Sequence, residues 1–501
     1  MATTKRNPRI LVVTPEITYL PEGMGNLAGQ MSAKAGGMAD VSASLVQALF
    51  KLGADVHVAL PHYRRMFHEE TARLVADELK KYKAHLPDER IHLAEDRCFY
   101  YRDTVYDRGD GNVKLALAFQ REVINNIIPH VQPDLIHCND WMTGLIPAAS
   151  RRMGIPCLFT VHNIHTQKIN LAWAEDAGID AAEFWNNLYY GYPPYNYEES
   201  RNNNPVDLQA SGCFAAHFIN TVSPTFLKEI VNGWHSFIPD SIRNEIRNKY
   251  NAGCASGILN APDTADNPAI DEKIPFKYGP ENHREFKRKN KLALQHALGL
   301  EENPDKALFF WPSRLDPVQK GPQLLTDITF RFLDKHPDAQ IAIIANGAYQ
   351  QPFWDIREFH QIHSRLGVHN FDSRLSQLGF AGSDFTFMPS LFEPCGLPQM
   401  QAPIYGSLAV AHNTGGLHDT VFPLDWNNSY GNGFIFDNYD SNGLFWAMDQ
   451  AMEFFHAPAE VKEREIARIM RESLQNFNHE ACAKEYIDLY EKMLDRPLVN
   501  K

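Results

Sequence analysis

Two glycine-rich segments of the chain could bind a phosphate group. The first is Lys34-Ala35-Gly36-Gly37 and the second is Thr414-Gly415-Gly416. Glycine lets a backbone come close to a ligand, and the N–H groups at the start of a helix attract phosphate. Lys34 adds an ammonium charge to the first segment. The pattern therefore predicts two candidate phosphate sites, although a plain tight turn would carry the same glycines.

Charged side chains follow two predicted strands in the second half of the chain. Arg314 and Lys320 come after the apolar run 307–311, and both could reach a diphosphate, the arginine through two parallel hydrogen bonds. Glu393 comes after the apolar run 385–388, on a loop that is broken by prolines. Its carboxylate could accept hydrogen bonds from sugar or ribose hydroxyls, or it could cap the helix that follows.

Three polar residues hold similar positions in the first half. His162 and Asn163 follow the predicted strand 157–161, and Asp140 follows a strand that begins at 134. Ligands of doubly wound sheets bind at the carboxyl ends of the strands, where these side chains would lie. A single histidine is more often a structural residue, and Asp140 could simply begin a helix. The residues alone leave both interpretations open.

The elements that position these residues alternate between strand and helix. A buried strand at 9–14, a helix at 42–52 and a strand at 54–61 form one strand–helix–strand unit. Strands at 307–311 and 340–345 repeat the pattern in the second half. This alternation predicts an α/β fold made of doubly wound, Rossmann-like sheets.

The length of 501 residues is enough for at least two domains. We expect an N-terminal Rossmann-like domain over 1–255 and a C-terminal one over 277–478. A linker is expected over 256–276, where glycine, alanine, aspartate and proline are concentrated. An amphipathic helix is expected within 479–501, and the charged segment 70–110 is expected to be peripheral.

Charge and cysteine content exclude several classes of function. The net charge of −13, from 61 acidic and 48 basic residues, argues against nonspecific binding to nucleic acid or to an anionic membrane. No apolar run is long enough to span a membrane. The seven cysteines are odd in number and scattered, and the start lacks a signal sequence, so we expect a cytoplasmic protein with reduced thiols. We expect neither a metal nor a cofactor.

The glycine-rich segments carry a resemblance to a known family. Residues 392–397 read FEPCGL, residues 414–421 read TGGLHDTV, and residues 34–41 read KAGGMADV. Together they resemble segments of the bacterial glycogen synthases and plant starch synthases. The resemblance implies the GT-B fold, in which two Rossmann-like domains face an interdomain cleft and the last helix returns to the N-terminal domain. It also implies that the N-terminal domain forms the acceptor side and the C-terminal domain binds a nucleotide-sugar donor.

The same resemblance implies roles for individual residues. Catalytic roles fall on His162, Glu393, Arg314 and Lys320. Donor-binding roles fall on Lys34, Gly36, Gly37, Asn163, Cys395, Gly396, Leu397, Thr414, Gly415 and Gly416. Acceptor-binding roles fall on Asp40 and Asp140.

The implied reaction is the retaining transfer of glucose from a nucleotide sugar to the non-reducing end of an α-1,4-glucan. The resemblance favours ADP-glucose over UDP-glucose, because bacterial relatives use ADP-glucose. Cations and helix-start amides would stabilise the charge that grows on the leaving diphosphate. Retaining glycosidases use two carboxylates about 5 Å apart. Only Glu393 is well placed here, and in retaining GT-B enzymes a phosphate oxygen is thought to help deprotonate the acceptor.

Two other classes of function stay open. One is a different retaining GT-B glucosyltransferase that uses UDP-glucose. The other is a non-catalytic glucan-binding protein on the same fold. Two segments also have no assigned role. The loop 17–32 is longer than in the family and could be a lid or alter acceptor access. Residues 185–207, rich in asparagine, tyrosine and proline, could contact a glucan or be an irregular insertion.

Overall fold

The chain folds around two parallel β-sheets, one in each of two units. The computed structural model describes residues 6–25, 27–67, 89–106 and 111–499. The first unit consists of Met1–Val222, Leu227–Ile258 and His479–Lys501, and the second of Ser223–Phe226 and Leu259–Asn478. These units are called the first and second domains below.

The first domain is built on a seven-stranded sheet whose neighbouring strands all run parallel. The strands of this sheet are β1 (Arg9–Val13), β2 (Asp55–Pro61), β3 (Ile91–Ala94), β4 (Leu135–Asn139), β5 (Cys157–Val161), β8 (Phe218–Thr221) and β9 (Ala255–Gly257). A separate antiparallel pair consists of β6 (Lys168–Ile169) and β7 (Val206–Asp207). The sheet order is β3-β2-β1-β4-β5-β8-β9, so the winding direction reverses between β1 and β4. Ile10 to Val13 are fully buried, as expected for a strand with helices on both faces.

The connections between these strands are mostly helical. The helices are α1 (Gly37–Lys51), α2 (Arg97–Tyr100), α3 (Gly111–Glu122), α4 (Ile128–Val131), α5 (Ile146–Arg152), α6 (Leu171–Asp176), α7 (Tyr197–Asn203), α8 (Leu208–Ala215), α9 (Pro224–Asn232) and α10 (Asp240–Asn251). A π-helical turn at Val123–Ile127 joins α3 to α4.

The second domain is built on a six-stranded sheet that is also parallel throughout. Its strands are β10 (Ala307–Trp311), β11 (Ala339–Ile344), β12 (Leu366–His369), β13 (Phe385–Met388), β14 (Leu408–His412) and β15 (Gly433–Phe436). The order is β12-β11-β10-β13-β14-β15. Aromatic rings fill the core, where Phe309 lies 4.7 Å from Phe385 and 5.3 Å from Phe332 between ring centroids.

Helices again connect the strands of this sheet. They are α11 (His283–Leu298), α12 (Pro322–Lys335), α13 (Gln350–Phe359), α14 (Ser373–Gly382), α15 (Pro398–Ile404), α16 (Gly415–Thr420), α17 (Ser441–Phe455) and α18 (Ala459–Asn476). The last helix of the chain, α19 (His479–Leu494), belongs to the first domain.

Two buried tyrosines attach α19 to the first sheet. The Tyr490 hydroxyl lies 2.7 Å from Nδ1 of His137 on β4, and the Tyr486 hydroxyl accepts a hydrogen bond of 2.8 Å from Asn220 on β8. Both rings are fully buried. Because buried polar groups must be paired, these bonds fix the rotation of the helix on the sheet.

The predicted α/β fold with two doubly wound sheets is confirmed. The first long helix begins at Gly37 rather than at 42, so Gly37 itself lies in its first turn. Strand β9 (Ala255–Gly257) pairs with β8 and occupies the start of the linker expected over 256–276. The peripheral segment expected over 70–110 lies partly outside the described residues, which include β3 and α2 from it.

The two segments without an assigned role contain regular structure. The ends of the loop 17–32 are joined by main-chain hydrogen bonds between Ile17 and Ala33, 2.9 and 2.7 Å long, and the side chains of Leu20, Met24 and Met31 are buried. The segment 185–207, for which a glucan contact or an irregular insertion was expected, contains the short helix α7 and the strand β7 within an otherwise irregular path. No helix among the described residues is long and apolar enough to cross a membrane.

Close packing around Gly379 gives a test of the second domain. Gly379 lies inside α14, and a Cβ placed on it would come 2.5 Å from the Phe310 ring on β10. An alanine normally stabilises a helix interior by about 1 kcal/mol relative to glycine. We expect Gly379→Ala to lower the free energy of unfolding by about 1–3 kcal/mol instead, because the fully buried ring has to move.

Chemical denaturation, followed through the unfolding transition of the second domain, measures this change in the free energy of unfolding. The control is Gly279→Ala, since a Cβ on Gly279 meets no heavy atom within 4 Å. That variant should stay within about 0.5 kcal/mol of the parent. Equal stability of both variants would show that α14 is not packed against β10 as described.

Candidate active site

A buried carboxylate holds the first glycine-rich segment. Glu16 comes three residues after β1, and its Oε2 accepts hydrogen bonds from the main-chain N–H groups of Ala35, at 2.6 Å, and Gly36, at 2.9 Å. Burial raises the pKa of Glu16, while these two bonds act to lower it. The amides of Ala35 and Gly36, expected to face a phosphate, therefore face Glu16. The N–H of Gly37 opens the 15-residue helix α1 and has no acceptor within that helix.

Lys34 pairs with the aspartate expected to bind the acceptor. Its Nζ lies 2.6 Å from Oδ2 of Asp40, and the Thr18 hydroxyl donates a bond of 2.6 Å to Oδ1 of the same carboxylate. The Lys34 side chain is 51% exposed. Exposed ion pairs contribute little to stability, so an anionic ligand can compete for this ammonium.

Asp140 holds the turn that follows β5. One carboxylate oxygen accepts a bond of 2.8 Å from the His162 N–H, and the other accepts a bond of 3.1 Å from the Asn163 side chain. Asp140 has φ 55° and ψ 179°, which a residue with a side chain rarely adopts. Burial raises its pKa to about 7. Asp140 immediately precedes the 3-10 helix Trp141–Thr143, as expected of a helix-starting residue, but its side chain makes no capping bond to that helix.

The His162 ring is oriented by Asn139. Asn139 donates through Nδ2 to the main-chain oxygen of Val13, so its Oδ1 faces His162 Nε2 at 2.8 Å. Nε2 therefore carries the hydrogen and Nδ1 is left as an acceptor. Burial lowers the pKa of His162 to about 4. The ring is thus neutral near pH 7 and suited to bind a hydroxyl group.

In the second domain, Lys320 and Glu393 form a buried ion pair. Nζ and Oε2 are 2.5 Å apart, and the Ser390 hydroxyl donates a bond of 3.0 Å to the same oxygen. The side chains are only 13% and 6% exposed. The carboxylate therefore binds a cation and a hydroxyl, whereas helix α15 begins after Leu397 without a side-chain cap.

The second glycine-rich segment is bonded directly to the Glu393 loop. The Gly416 N–H donates to the main-chain oxygen of Glu393 at 2.9 Å. A Cβ on Gly416 would lie 2.0 Å from the oxygen of Cys395, so only glycine fits there. Gly415 has φ +45°, which also favours glycine, and Thr414 is buried just before it. The structure thus brings the expected donor-binding residues of these two loops together.

The side chain of Gln399 fixes the turn that precedes helix α15. Its Nε2 donates to the main-chain oxygens of Cys395 and Gly396, each at 2.9 Å, and lies 3.2 Å from the Thr420 hydroxyl. These bonds define the turn through Cys395, Gly396 and Leu397, in which Gly396 has φ +75°. Gln399 is fully buried. The turn is therefore held in one conformation by a residue outside the expected site.

Arg314 differs from the other expected site residues. Its side chain is exposed, and no ion pair to it is formed by the residues that the structure covers.

Within 6–25, 27–67, 89–106 and 111–499, no cluster of three or more histidine, cysteine, aspartate or glutamate side chains could hold a metal ion.

The sequence analysis missed several residues that hold the candidate site in place in the first and second domains. Glu16 carried the same signal as Glu393, since both are acidic residues shortly after a buried strand. Gln209, whose amide donates to the main-chain oxygen of Asn163 at 3.1 Å, lies 46 positions away along the chain. Neither Gln209 nor Gln399 had a signal in the local sequence, because their partners depend on the fold.

Two family descriptions match this chain. Residues 9–239 match the starch synthase catalytic domain, and residues 297–465 match the glycosyl transferases of group 1. A glycogen synthase of Cellvibrio japonicus (strain Ueda107) is 34% identical, covering 91% of this chain and 96% of the relative. A glycogen synthase of Trichodesmium erythraeum (strain IMS101) is 32% identical, with coverage of 98% and 99%.

A solved structure gives the same classification of the fold. The catalytic domain of starch synthase IV from Arabidopsis thaliana, bound to ADP and acarbose, matches with a TM-score of 0.76 at 23% identity. The match covers 98% of this chain and 100% of that chain. The resemblance found in the glycine-rich segments is confirmed by these relatives. The chain is a glycosyltransferase with the GT-B fold and belongs to the family of glycogen and starch synthases.

Proposed function

We propose that this glycogen synthase transfers glucose from ADP-glucose to the non-reducing end of an α-1,4-glucan, with retention of the anomeric configuration. The observation that carries the proposal is the Lys320–Glu393 pair, bonded through Glu393 to the turn at Thr414-Gly415-Gly416. This cluster combines a cation, a carboxylate and a glycine turn, which are the groups that a sugar diphosphate needs. ADP is favoured over UDP because the starch synthase IV structure contains ADP.

The leaving group determines where positive charge is needed. Transfer breaks the bond between glucose C1 and a phosphate oxygen, and negative charge grows on the departing diphosphate. The family resemblance assigns Lys320, Arg314, Lys34 and the N–H of Gly37 to that charge in the proposed mechanism. Such preset charges stabilise the transition state without a general acid.

Glu393 and His162 would hold the glucose. The second carboxylate oxygen of Glu393, Oε1, can accept a hydrogen bond from a sugar hydroxyl while Oε2 stays bonded to Lys320 and Ser390. Nδ1 of neutral His162 can accept another hydroxyl. The acceptor hydroxyl then attacks C1 on the face that the phosphate leaves, and its proton passes to the departing phosphate oxygen. Asp40 and Asp140 are proposed on the acceptor side.

Turnover with two donors tests the proposal. The protein is incubated with glycogen and either ADP-glucose or UDP-glucose, and the released nucleoside diphosphate and the chain growth are measured. We expect both products with ADP-glucose and a lower kcat/KM with UDP-glucose. A preference for UDP-glucose would assign it to the other retaining glucosyltransferases, and glycogen binding without nucleotide release would make it a binding protein.

We also propose a cytoplasmic location. None of the seven cysteines, all of them among the described residues, forms a disulfide, and even Cys138 on β4 and Cys157 on β5, which are both buried, keep their sulfur atoms 3.8 Å apart. Free thiols on this scale are usual in a reducing compartment.

Replacing Glu393 separates a catalytic role from a structural one. We expect Glu393→Gln to lower kcat at least roughly a hundredfold, because the neutral amide no longer holds the sugar and leaves Lys320 without its charge partner. Steady-state kinetics at saturating ADP-glucose and glycogen measure the change.

The matched control is another buried, ion-paired carboxylate of the same domain. Glu465 is fully buried and binds Arg464 at 2.8 Å and Arg468 at 2.9 Å. Glu465→Gln should lower the melting temperature, as loss of a buried pair does, and leave kcat near the parent value. If both variants lose stability and neither loses turnover, Glu393 serves the scaffold only.

The two lysines should act on the same donor. We expect Lys34→Ala and Lys320→Ala each to lower kcat/KM for ADP-glucose. The loss should correspond to about 1–3 kcal/mol of transition-state free energy, the range of a lost charge-assisted hydrogen bond. Lys335→Ala is the control, because Lys335 pairs with Asp449 on the surface, at 2.6 Å. Parental donor kinetics in both test variants would remove these lysines from the site.

A further inference from the structure

A cavity of the second domain lies at the edge of the sheet where the strands begin. It has a volume of about 300 Å³, and Phe385 and Leu408, the first residues of β13 and β14, line it. Glu393 and Thr414 follow the opposite ends of the same two strands. The cavity is therefore separate from the candidate active site.

The cavity is unusually basic for a chain with a net charge of −13. Five cationic side chains line it, namely Arg284, Lys287, Arg288, Lys291 and Lys462. Three carboxylates line it as well, so positive charges exceed negative ones by two. A local excess of this kind in an acidic protein favours an anionic ligand.

Three of the cations have a carboxylate partner. Arg284 binds Glu463 at 3.0 Å and Arg288 binds Asp305 at 2.7 Å. Both arginines are largely exposed, at 62% and 47%, so these pairs are weak and can exchange for another anion. The third pair, Lys291 with Asp384, is buried on the lysine side and is 2.6 Å long.

The other two lysines have no carboxylate within ion-pairing distance among the described residues. Lys287 is buried and donates to the main-chain oxygens of Ala381, Ser383 and Tyr405, which use all three of its hydrogens. Its pKa is lowered to about 7, chiefly by burial, with Asp384 acting to raise it and the charge of Lys291 acting to lower it. Lys462 donates only to the Phe455 oxygen, at 2.6 Å, in the bonds that the structure describes.

Lys462 therefore has hydrogens to offer a ligand. An ammonium group carries three donors, and one is used by Phe455. Its pKa is lowered by burial and by the nearby charges of Lys291 and Arg284, while Asp384 and Asp305 raise it. An added anion would relieve this repulsion between cations.

We propose that this cavity binds a phosphomonoester of a small metabolite. Such a group carries a charge of about −1.5 to −2 near pH 7, opposite in sign to the cavity's formal excess of two positive charges, and it would favour the charged form of Lys287. Its three oxygens can accept bonds from Lys462, Arg284 and Arg288. The volume of about 300 Å³ lies at the lower end for ligand sites, so it suits one phosphate on a small ring system. Leu408 and Ile466 supply an apolar wall for the ring.

Isothermal titration of the whole protein tests this assignment. Inorganic phosphate, glucose 6-phosphate and AMP are titrated separately, with glucose and adenosine as phosphate-free controls. Excess ADP is present throughout, so that a nucleotide site elsewhere is filled. We expect saturable binding of one of the two esters at one site per chain and none of the phosphate-free compounds.

Two lysine variants locate the binding. Lys462→Gln should weaken the ester at least roughly tenfold, the effect of losing one charge-assisted bond. Lys289→Gln is the control, since Lys289 lies on α11 with Arg284 and Arg288 but pairs with Glu285, at 2.7 Å, and does not line the cavity. It should bind as the parent does. Thermal melts check that both variants are folded.

Three results would overturn the proposal. The first is that neither ester saturates the protein at millimolar concentration, and the second is that Lys462→Gln and Lys289→Gln bind the ester equally well. Binding of inorganic phosphate as tightly as both esters would show a site for the bare anion instead. None of these results depends on whether the protein uses ADP-glucose.

Discussion

The ion pair between Lys320 and Glu393 determines how the second domain must be built. Burying two charges is costly unless the geometry is good and the remaining oxygens are bonded. Oε2 of Glu393 is bonded to both Lys320 and the Ser390 hydroxyl, and the N–H of Gly416 holds the main-chain oxygen of the same residue. The three segments involved follow β10, β13 and β14, which are neighbours in the sheet. The parallel strand order thus brings the cluster together at one edge.

The first domain uses buried carboxylates for a similar purpose. Glu16 binds the main chain of the segment after β1, and Asp140 binds the turn after β5. In both cases an acidic residue near the end of one strand orders a loop elsewhere in the domain. The loops that would meet substrate are therefore preset by hydrogen bonds within their own domain. Preset groups need little reorganisation during a reaction, which is how enzymes stabilise charge.

Local patterns in the sequence were enough to predict several strands of each sheet, but not β3, β9 or β12. The strand 385–388 and the strand 307–311 coincide with β13 and β10, because short apolar runs bounded by turn residues have few other structures. The pairing of Lys320 with Glu393 could not be read in the same way, since 73 positions separate them. Glu16, Gln209 and Gln399 were missed because their partners are set by tertiary contacts.

The cavity at the other edge of the second sheet was also invisible in the sequence. Its cations come from α11 and α18, which are far apart along the chain. Each of these helices shows charged residues that would be read as a solvated face. Only the fold shows that the lysines surround one carboxylate, Asp384, beside a space large enough for a ligand.

A double-mutant cycle on Lys320 and Glu393 tests most directly whether the pair acts as one unit in glucose transfer. The kcat values of the parent, Lys320→Ala, Glu393→Gln and the double variant are compared with saturating ADP-glucose and glycogen. Residues that act together give strongly non-additive effects. The account predicts a double variant about as slow as the slower single variant. A double variant slowed by the product of the two single effects would contradict it.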